Sequence, residues 1–137
     1  MEIQNKEKEY KSNATTVYSC QYHVVFCPKY RRSVLRDGID ARLKELVREY
    51  CAQKDMKVLD MEVMPDHVHL LLDIPPMGSP RNEVTALKGF LSHELREAFP
   101  KLKSRLPSLW TRSIFISSVG AISLEVVKKY IENQKNK

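Results

Sequence analysis

Two histidines stand one residue apart in the apolar stretch "MPDHVHLLLDIPP", residues 64–76. If this stretch is a strand, His67 and His69 share one face of the sheet while Val68 points to the other. Their Cα atoms would then lie roughly 6–7 Å apart, so the two imidazoles could converge on one metal ion or one phosphate. Two histidines that are hydrogen-bonded at a sheet surface would give the same pattern, so the pair alone leaves both interpretations open.

The type of metal also depends on the remaining ligands. A structural zinc site would need four nitrogen or sulfur ligands, and no cysteine in the sequence has a suitable spacing. With an oxygen ligand added, the histidine pair would suit Mg²⁺ or Mn²⁺, with open positions for water and phosphate oxygens.

A second group of candidate residues lies near the other end of the chain, in "VVKKYIENQ". Tyr130 and Gln134 are four residues apart and so share one face of a helix. A phenol can act as a nucleophile and form a covalent intermediate with phosphorus, and the Gln134 carbonyl oxygen could complete a metal site. The alternative is that Tyr130 belongs to the apolar stripe that docks the helix, with Gln134 solvated. That stripe comprises Leu124, Val127 and Ile131.

The elements that must position these residues follow from hydrophobic periodicity and from proline and glycine breakers. We predict strands over residues 17–27, 56–64, 67–74 and 113–119. We predict three helices. The first covers residues 37–54, and the third runs from about residue 123 to 135. The second begins at a cap, Ser79 or Asn82, and ends just before Pro100. Strand, helix, strand, strand, helix, strand is the ferredoxin-like, RRM-like order of an α+β fold. We therefore expect an antiparallel sheet with helices on one face, plus a C-terminal helix that carries the tyrosine.

Composition narrows the class of protein. The chain has 137 residues, and 23 Lys and Arg against 17 Asp and Glu give a formal net charge of +6 and a pI near 9.3. This positive charge would attract partners that carry phosphate, although many ordinary proteins are equally basic.

The N-terminal residues are polar, in "MEIQNKEKEYKSN". We expect a flexible arm over residues 1–16, followed by a single domain over residues 17–137. We find no signal peptide, and no apolar run is long enough to span a membrane. Cys20, Cys27 and Cys51 match no zinc spacing and are predicted to be reduced, mostly buried thiols of a cytoplasmic protein.

Four stretches carry a resemblance that covers residues 18–134: "YHVVFCPKYRR", "MPDHVHLLLDIPP", "LWTRSIFISSVG" and "YIENQ". In this order and spacing the chain resembles the transposases of the insertion sequence 200/605 family. These are single-tyrosine HUH transposases, where HUH denotes His-hydrophobic-His.

The resemblance implies cleavage and rejoining of single-stranded DNA at the hairpin-bearing ends of a small insertion sequence. It makes His67 and His69 the HUH pair, Tyr130 the nucleophile that forms a 5′-phosphotyrosine, and Gln134 the third metal ligand. It also implies a divalent cofactor, Mg²⁺ or Mn²⁺, and a homodimer in which the tyrosine helix of one subunit completes the site of the other. Such a protein would associate with the nucleoid when it is bound to DNA.

Basic residues supply candidates for DNA contacts. "PKYRR" places Lys29, Arg31 and Arg32 around Tyr30, so cations could hold phosphates while the ring stacks on a base. The alternative is a solvated loop. Further candidates for a hairpin-binding surface are Lys88, Arg96, Lys101, Lys103, Arg105 and Arg112.

Other residues near these motifs have structural interpretations. His23 and His93 are predicted to be structural or surface residues, and Trp110 a packing anchor. Glu62 and Asp66 could orient an imidazole or serve only in a turn and at the surface.

Two other functions fit the same sequence. One is a non-catalytic RRM-like module that binds nucleic acid, although the first and third strands lack the glycine-aromatic signature of such domains. The other is a domesticated relative that cleaves repeat hairpins in the host genome without moving an element.

Overall fold

The computed structural model describes residues 11–12, 17–119 and 124–136. The strands are β1 Lys11–Ser12, β2 Val17–Tyr18, β3 Gln21–Phe26, β4 Lys57–Met64, β5 His67–Asp73 and β6 Phe115–Ser118. The α-helices are α1 Ile39–Gln53, α2 Pro80–Ala98, α3 Lys101–Arg105 and α4 Leu124–Glu132. Two 3-10 turns, Lys29–Arg31 and Asn133–Asn136, follow β3 and α4.

The main sheet has the predicted ferredoxin-like topology. Its strand order is β4-β5-β3-β6, and every neighbouring pair is antiparallel. This order puts β3 and β5 at the centre, where both edges of each strand are hydrogen-bonded. The α+β fold class predicted from the element order is therefore confirmed.

One face of the sheet forms the hydrophobic core with α1 and α2. Alternating residues of the two central strands point to this face, among them Phe26, Leu70 and Leu72, all fully buried. The apolar stripes of the two helices close the core from outside, with Leu43 of α1 and Leu91 of α2 also fully buried. The opposite face of the sheet carries the histidines and lies under α4.

The capping and helix-breaking residues of the sequence correctly predicted both ends of α2. Of the two proposed caps of α2, the structure uses Ser79, whose Oγ accepts a hydrogen bond from the Asn82 amide at 3.3 Å. The helix ends at Ala98, as predicted from Pro100. The single strand predicted over residues 17–27 is instead two strands, because β2 pairs with β1 while β3 joins the main sheet. The short helix α3 was not predicted.

The remaining predictions on the chain as a whole have mixed outcomes. Apart from Lys11–Ser12 in β1, the arm predicted over residues 1–16 lies outside the described residues. Within the described part of the chain, no helix is long and apolar enough to cross a membrane. The three cysteines are free thiols, and Cys27 and Cys51 are buried.

Candidate active site

The predicted histidine pair lies on the face of the sheet that α4 covers. His69 of β5 is the cross-strand partner of Val25 on one side and of Glu62 on the other. A cavity of about 500 Å³ opens between this part of the sheet and α4. It is lined by Glu62, Met64, His67 and His69 from the sheet and by Val127, Lys128, Ile131 and Glu132 from the helix and its end. The cavity therefore brings together two elements that are far apart in sequence.

His67 is oriented by its neighbour in the chain. Its Nδ1 lies 2.8 Å from Asp66 Oδ1. An ionised carboxylate only accepts hydrogen bonds, so in the neutral imidazole the proton lies on Nδ1 and the lone pair on Nε2. This tautomer is the one in which Nε2 can bind a metal ion.

His69 is more deeply buried and faces a third histidine. It is 2% exposed, and its Nε2 lies 3.4 Å from His23 Nδ1. Burial, with a smaller effect from the neighbouring imidazoles, lowers the pKa of His69 to about 4. Burial also lowers the pKa of His23. His69 is therefore neutral near pH 7, which is the protonation state that a metal ligand requires.

Tyr130 of α4 packs against β6. Its ring lies 5.1 Å from that of Phe115, and its hydroxyl is 2.7 Å from Ser113 Oγ. Burial raises the pKa of Tyr130, and the hydrogen bond with Ser113 opposes this effect only in part. In this position the phenol is therefore fully protonated near pH 7.

Gln134 lies in the 3-10 turn that follows α4. It is 2% exposed, and its amide oxygen accepts a hydrogen bond from Thr111 Oγ1 at 3.3 Å. The described residues that line the histidine cavity include neither Gln134 nor Tyr130. Both side chains instead contact residues 111–113, which we call the 111–113 segment.

A buried lysine holds the 111–113 segment. Lys88 Nζ donates to the carbonyl oxygen of Thr111 at 2.6 Å and to that of Ser113 at 3.3 Å. Lys88 is only 7% exposed, so its predicted place on a hairpin-binding surface is wrong. Trp110 Nε1 donates to the Lys88 carbonyl oxygen at 3.0 Å and its ring packs edge-on against Phe26, which confirms Trp110 as a packing anchor.

Two of the three predicted metal ligands line the cavity. His67 and His69 are nitrogen donors held on one face, and their chemistry fits a divalent ion. Within the described residues, no group of three His, Cys, Asp or Glu side chains could hold a metal ion. The third position therefore depends on an amide, on water or on a substrate oxygen.

The residues predicted to contact DNA fall into two groups. Arg32 and Arg112 are exposed, and Tyr30 is 48% exposed with Lys29 Nζ 5.4 Å from its ring centroid. Arg31 is different, because its side chain is only 16% exposed and forms ion pairs within the protein.

Sequence reasoning missed Thr111 and Ser113, which support the candidate site, and gave Lys88 a different role. The polar run "TRS", which ends two residues before Phe115 of β6, is a signal in the sequence that could have indicated Thr111 and Ser113. For Lys88 the signal is helical spacing: it lies four residues after Val84 and three before Leu91, on the apolar face of α2.

Comparison with known proteins assigns the chain to a family. The family model described as "Transposase IS200 like" matches residues 16–134. The chain belongs to this transposase family. It is 40% identical to the ISDra2 transposase TnpA of Deinococcus radiodurans over 131 residues, 94% of both sequences. It is 36% identical to the transposase for insertion sequence element IS200 of Salmonella typhimurium over 126 residues, 90% of this chain and 82% of the relative.

A solved structure agrees with the assignment to the IS200-like transposases, and a second one shares the fold. The crystal structure of a Deinococcus radiodurans R1 protein described as a transposase superposes with a TM-score of 0.85 at 35% identity. The match covers 93% of this chain and 99% of that one. A REP-associated tyrosine transposase bound to a REP hairpin shares the fold, with a TM-score of 0.56 at 11% identity. That match covers 96% of this chain and 69% of the other. Membership of the family makes this chain a DNA-processing transposase by descent.

Proposed function

We propose that this transposase cleaves and rejoins single-stranded DNA at hairpin-bearing ends of a small insertion sequence, with Tyr130 as the nucleophile. One observation supports the proposal most strongly. The helix that carries Tyr130 lies on the same face of the sheet as His67 and His69, and the two elements enclose one cavity. A nucleophile and two possible metal ligands are thus carried by adjoining elements.

The proposed reaction is a transesterification. The Tyr130 oxygen attacks phosphorus, a new P–O bond forms to the phenol, and the bond from phosphorus to the 3′ oxygen breaks. The products are a 5′-phosphotyrosine and a free 3′-OH. The phenol loses one proton and the leaving 3′ oxygen gains one, so no net proton is released. A phosphodiester is exchanged for a phosphodiester, so a 3′-OH can reverse the step without ATP.

The residues around the phenol must prepare it for this attack. Ser113 holds the hydroxyl oxygen, and burial keeps it protonated in the position described. Movement of the phenol towards solvent or towards a cation would lower its pKa and favour the phenolate.

His67 and His69 are the proposed metal ligands, joined by Gln134 once its amide leaves Thr111. A divalent ion, Mg²⁺ or Mn²⁺, would polarise the scissile phosphate and stabilise the charge that develops on the leaving 3′ oxygen. The hydrogen bond to Asp66 orients the His67 imidazole for this role. Burial keeps the His69 imidazole neutral, as a metal ligand must be.

We also propose that the protein acts as a homodimer whose sites combine the histidines of one subunit with the tyrosine helix of the other. In the single chain described, α4 packs on its own sheet, yet Tyr130 is directed to Ser113 and does not line the histidine cavity. A helix contributed by a partner subunit could present its tyrosine differently.

The direct test is covalent trapping. Single-stranded oligonucleotides that carry candidate ends are incubated with protein and Mg²⁺, and the protein–DNA adduct is separated on a denaturing gel. The nucleotide should be found on the peptide that contains Tyr130, by mass spectrometry. Tyr130→Phe should abolish the adduct and leave hairpin binding within about twofold of wild type, because one hydroxyl is lost.

The matched control is Tyr50→Phe, which removes the same hydroxyl from a tyrosine packed on Phe90, on the helical side of the sheet. This variant should form the adduct at the wild-type rate. Nicking by Tyr130→Phe would assign the nucleophile to another group.

The alternative functions are less well supported. In a base-stacking RRM-like module the face opposite the helices would be open, whereas here α4 covers it and Val127 is buried. Relatives named as insertion-sequence transposases at 36–40% identity favour mobility over a domesticated role.

A further inference from the structure

Arg31 is placed differently from the other basic residues of its loop. Its Nε lies 3.3 Å from Asp66 Oδ2, and its Nη1 lies 3.3 Å from Glu132 Oε2 and 3.3 Å from the carbonyl oxygen of Ile131. One guanidinium thus joins the turn before β5 to the end of the helix that carries Tyr130.

The same carboxylate holds His67. Asp66 uses Oδ1 for the His67 Nδ1 proton and Oδ2 for Arg31. Because each oxygen has its own partner, the carboxylate cannot rotate without breaking one of the two bonds. Arg31 therefore restricts Asp66, and Asp66 determines which His67 nitrogen has a free lone pair.

The backbone of the loop explains why Arg31 points inward. Tyr30 and Arg31 have φ values of 59° and 50°, in the left-handed region that residues with a Cβ rarely adopt. Two consecutive residues in that region make a tight turn, which the bonds from Lys29 N to Leu109 O and from Arg31 N to Pro28 O stabilise. The turn leaves Tyr30 and Arg32 exposed and directs Arg31 towards Asp66.

We propose that Arg31 is a positioning residue that sets the His67 imidazole through Asp66 and anchors the end of the tyrosine helix when that helix packs on the sheet of its own chain. This role rests on the proposed function of His67 as a metal ligand. It differs from the role expected from the sequence, in which Arg31 binds a DNA phosphate. Arg32, the exposed neighbour, supplies a matched control with the same change of charge.

The first test reads the His67 tautomer by ¹⁵N NMR of the metal-free protein at about pH 8, above the ordinary histidine pKa of about 6.5. The wild type should show the proton on Nδ1. Asp66→Ala should move it to Nε2, and Arg31→Gln should shift the population in the same direction. Arg32→Gln should match wild type. Identical His67 signals in all four proteins would overturn the proposal.

The second test measures Mn²⁺ binding by electron paramagnetic resonance of the free ion. Loss of the residue that orients a metal-bound histidine typically weakens binding by about 10–100-fold, and we expect this of Asp66→Ala. Arg31→Gln should lose about tenfold and Arg32→Gln less than twofold. Equal affinities for Arg31→Gln and Arg32→Gln would refute the role of Arg31 at the metal.

Hydrogen exchange tests the second half of the proposal. Amide exchange across residues 124–136 should be faster in Arg31→Gln than in Arg32→Gln, because the first variant releases the helix end. Equal protection in the two variants would remove the anchoring role.

The salt dependence of hairpin binding separates positioning from phosphate contact. A lost phosphate contact lowers the slope of log K against log salt by roughly 0.7 on single strands. Arg31→Gln should keep the wild-type slope while it slows adduct formation. A reduced slope of log K against log salt in Arg31→Gln would show that Arg31 contacts a DNA phosphate.

Failure of the proposed function gives a different result. If the wild type bound no Mn²⁺ and formed no adduct, the metal role of His67 would be lost. The NMR and exchange measurements would still decide whether Arg31 orients His67 and holds the helix.

Discussion

Replacement of Lys88 by methionine removes a buried ammonium and keeps most of the aliphatic side chain. The ammonium donates to the carbonyl oxygens of Thr111 and Ser113, at 2.6 and 3.3 Å, and lies 5.9 Å from the centroid of the Phe26 ring. Methionine can fill the space beside Phe26 but cannot donate, so both carbonyl groups lose a partner.

The expected loss of stability follows from these two bonds. A hydrogen bond to a charged group contributes about 1.5–3 kcal/mol, and desolvation of the ammonium offsets part of this. We expect Lys88→Met to lower the free energy of unfolding by about 2–4 kcal/mol near pH 7. Because the 111–113 segment contacts Tyr130 and Gln134, adduct formation should slow as well.

The effect should grow with pH. Burial lowers the pKa of Lys88 from 10.5 to about 8, so the folded protein releases this proton at a lower pH than the unfolded chain. Between these values the unfolded state binds more protons, and wild-type stability therefore rises with pH. The difference between these two pKa values corresponds to about 3 kcal/mol. All of it is gained between pH 8 and pH 10.5.

The assay is urea unfolding of both proteins from pH 7 to about pH 10.5. Other groups titrate in this range, but they cancel in the difference between wild type and Lys88→Met. Lys44→Met, on the exposed face of α1, is the matched control and should show a small difference independent of pH. A Lys88 difference that stays constant or shrinks above pH 8 would show that the ammonium is not desolvated.

Three further predictions concern the proposed chemistry. His67→Ala or His69→Ala should remove most adduct formation, and EDTA should do the same to the wild type; full activity in EDTA would make the pair structural. Cleavage should require a single strand with a hairpin, and binding should weaken as salt rises by roughly 0.7 log units per phosphate contact per tenfold salt; equal cutting of a perfect duplex would contradict this. An exchanging mixture of His67→Ala and Tyr130→Phe subunits should recover nicking, with the adduct on the His67→Ala chain; an inert mixture with confirmed exchange would place the whole site in one chain.

The sequence determined the strand and helix pattern, because hydrophobic period and breakers are local properties. Alternation in β5 put His67 and His69 on one face, and Ser79 and Pro100 marked the ends of α2. Motif order was enough to indicate the transposase family that the comparisons establish.

Only the tertiary structure decided which residues surround these side chains. His23 lies beside His69 because β3 and β5 pair in one register, across 46 residues of sequence. Neither residue indicates that register by itself.

The burial of charged side chains likewise depends on tertiary structure and is not determined by the sequence alone. Arg31 and Arg32 are identical in type and adjacent in sequence, yet two left-handed residues turn the first towards Asp66 and leave the second in solvent. The spacing of Lys88 from Val84 and Leu91 puts it on the apolar face of α2, but the sequence does not indicate the partner of its ammonium. That partner, the Thr111 carbonyl oxygen, is decided by the packing of α2 against the 111–113 segment. The sequence determines which side chains are present and which share a face of an element. Which charges are buried, and with which partners, depends on the packing of elements that are distant in the chain.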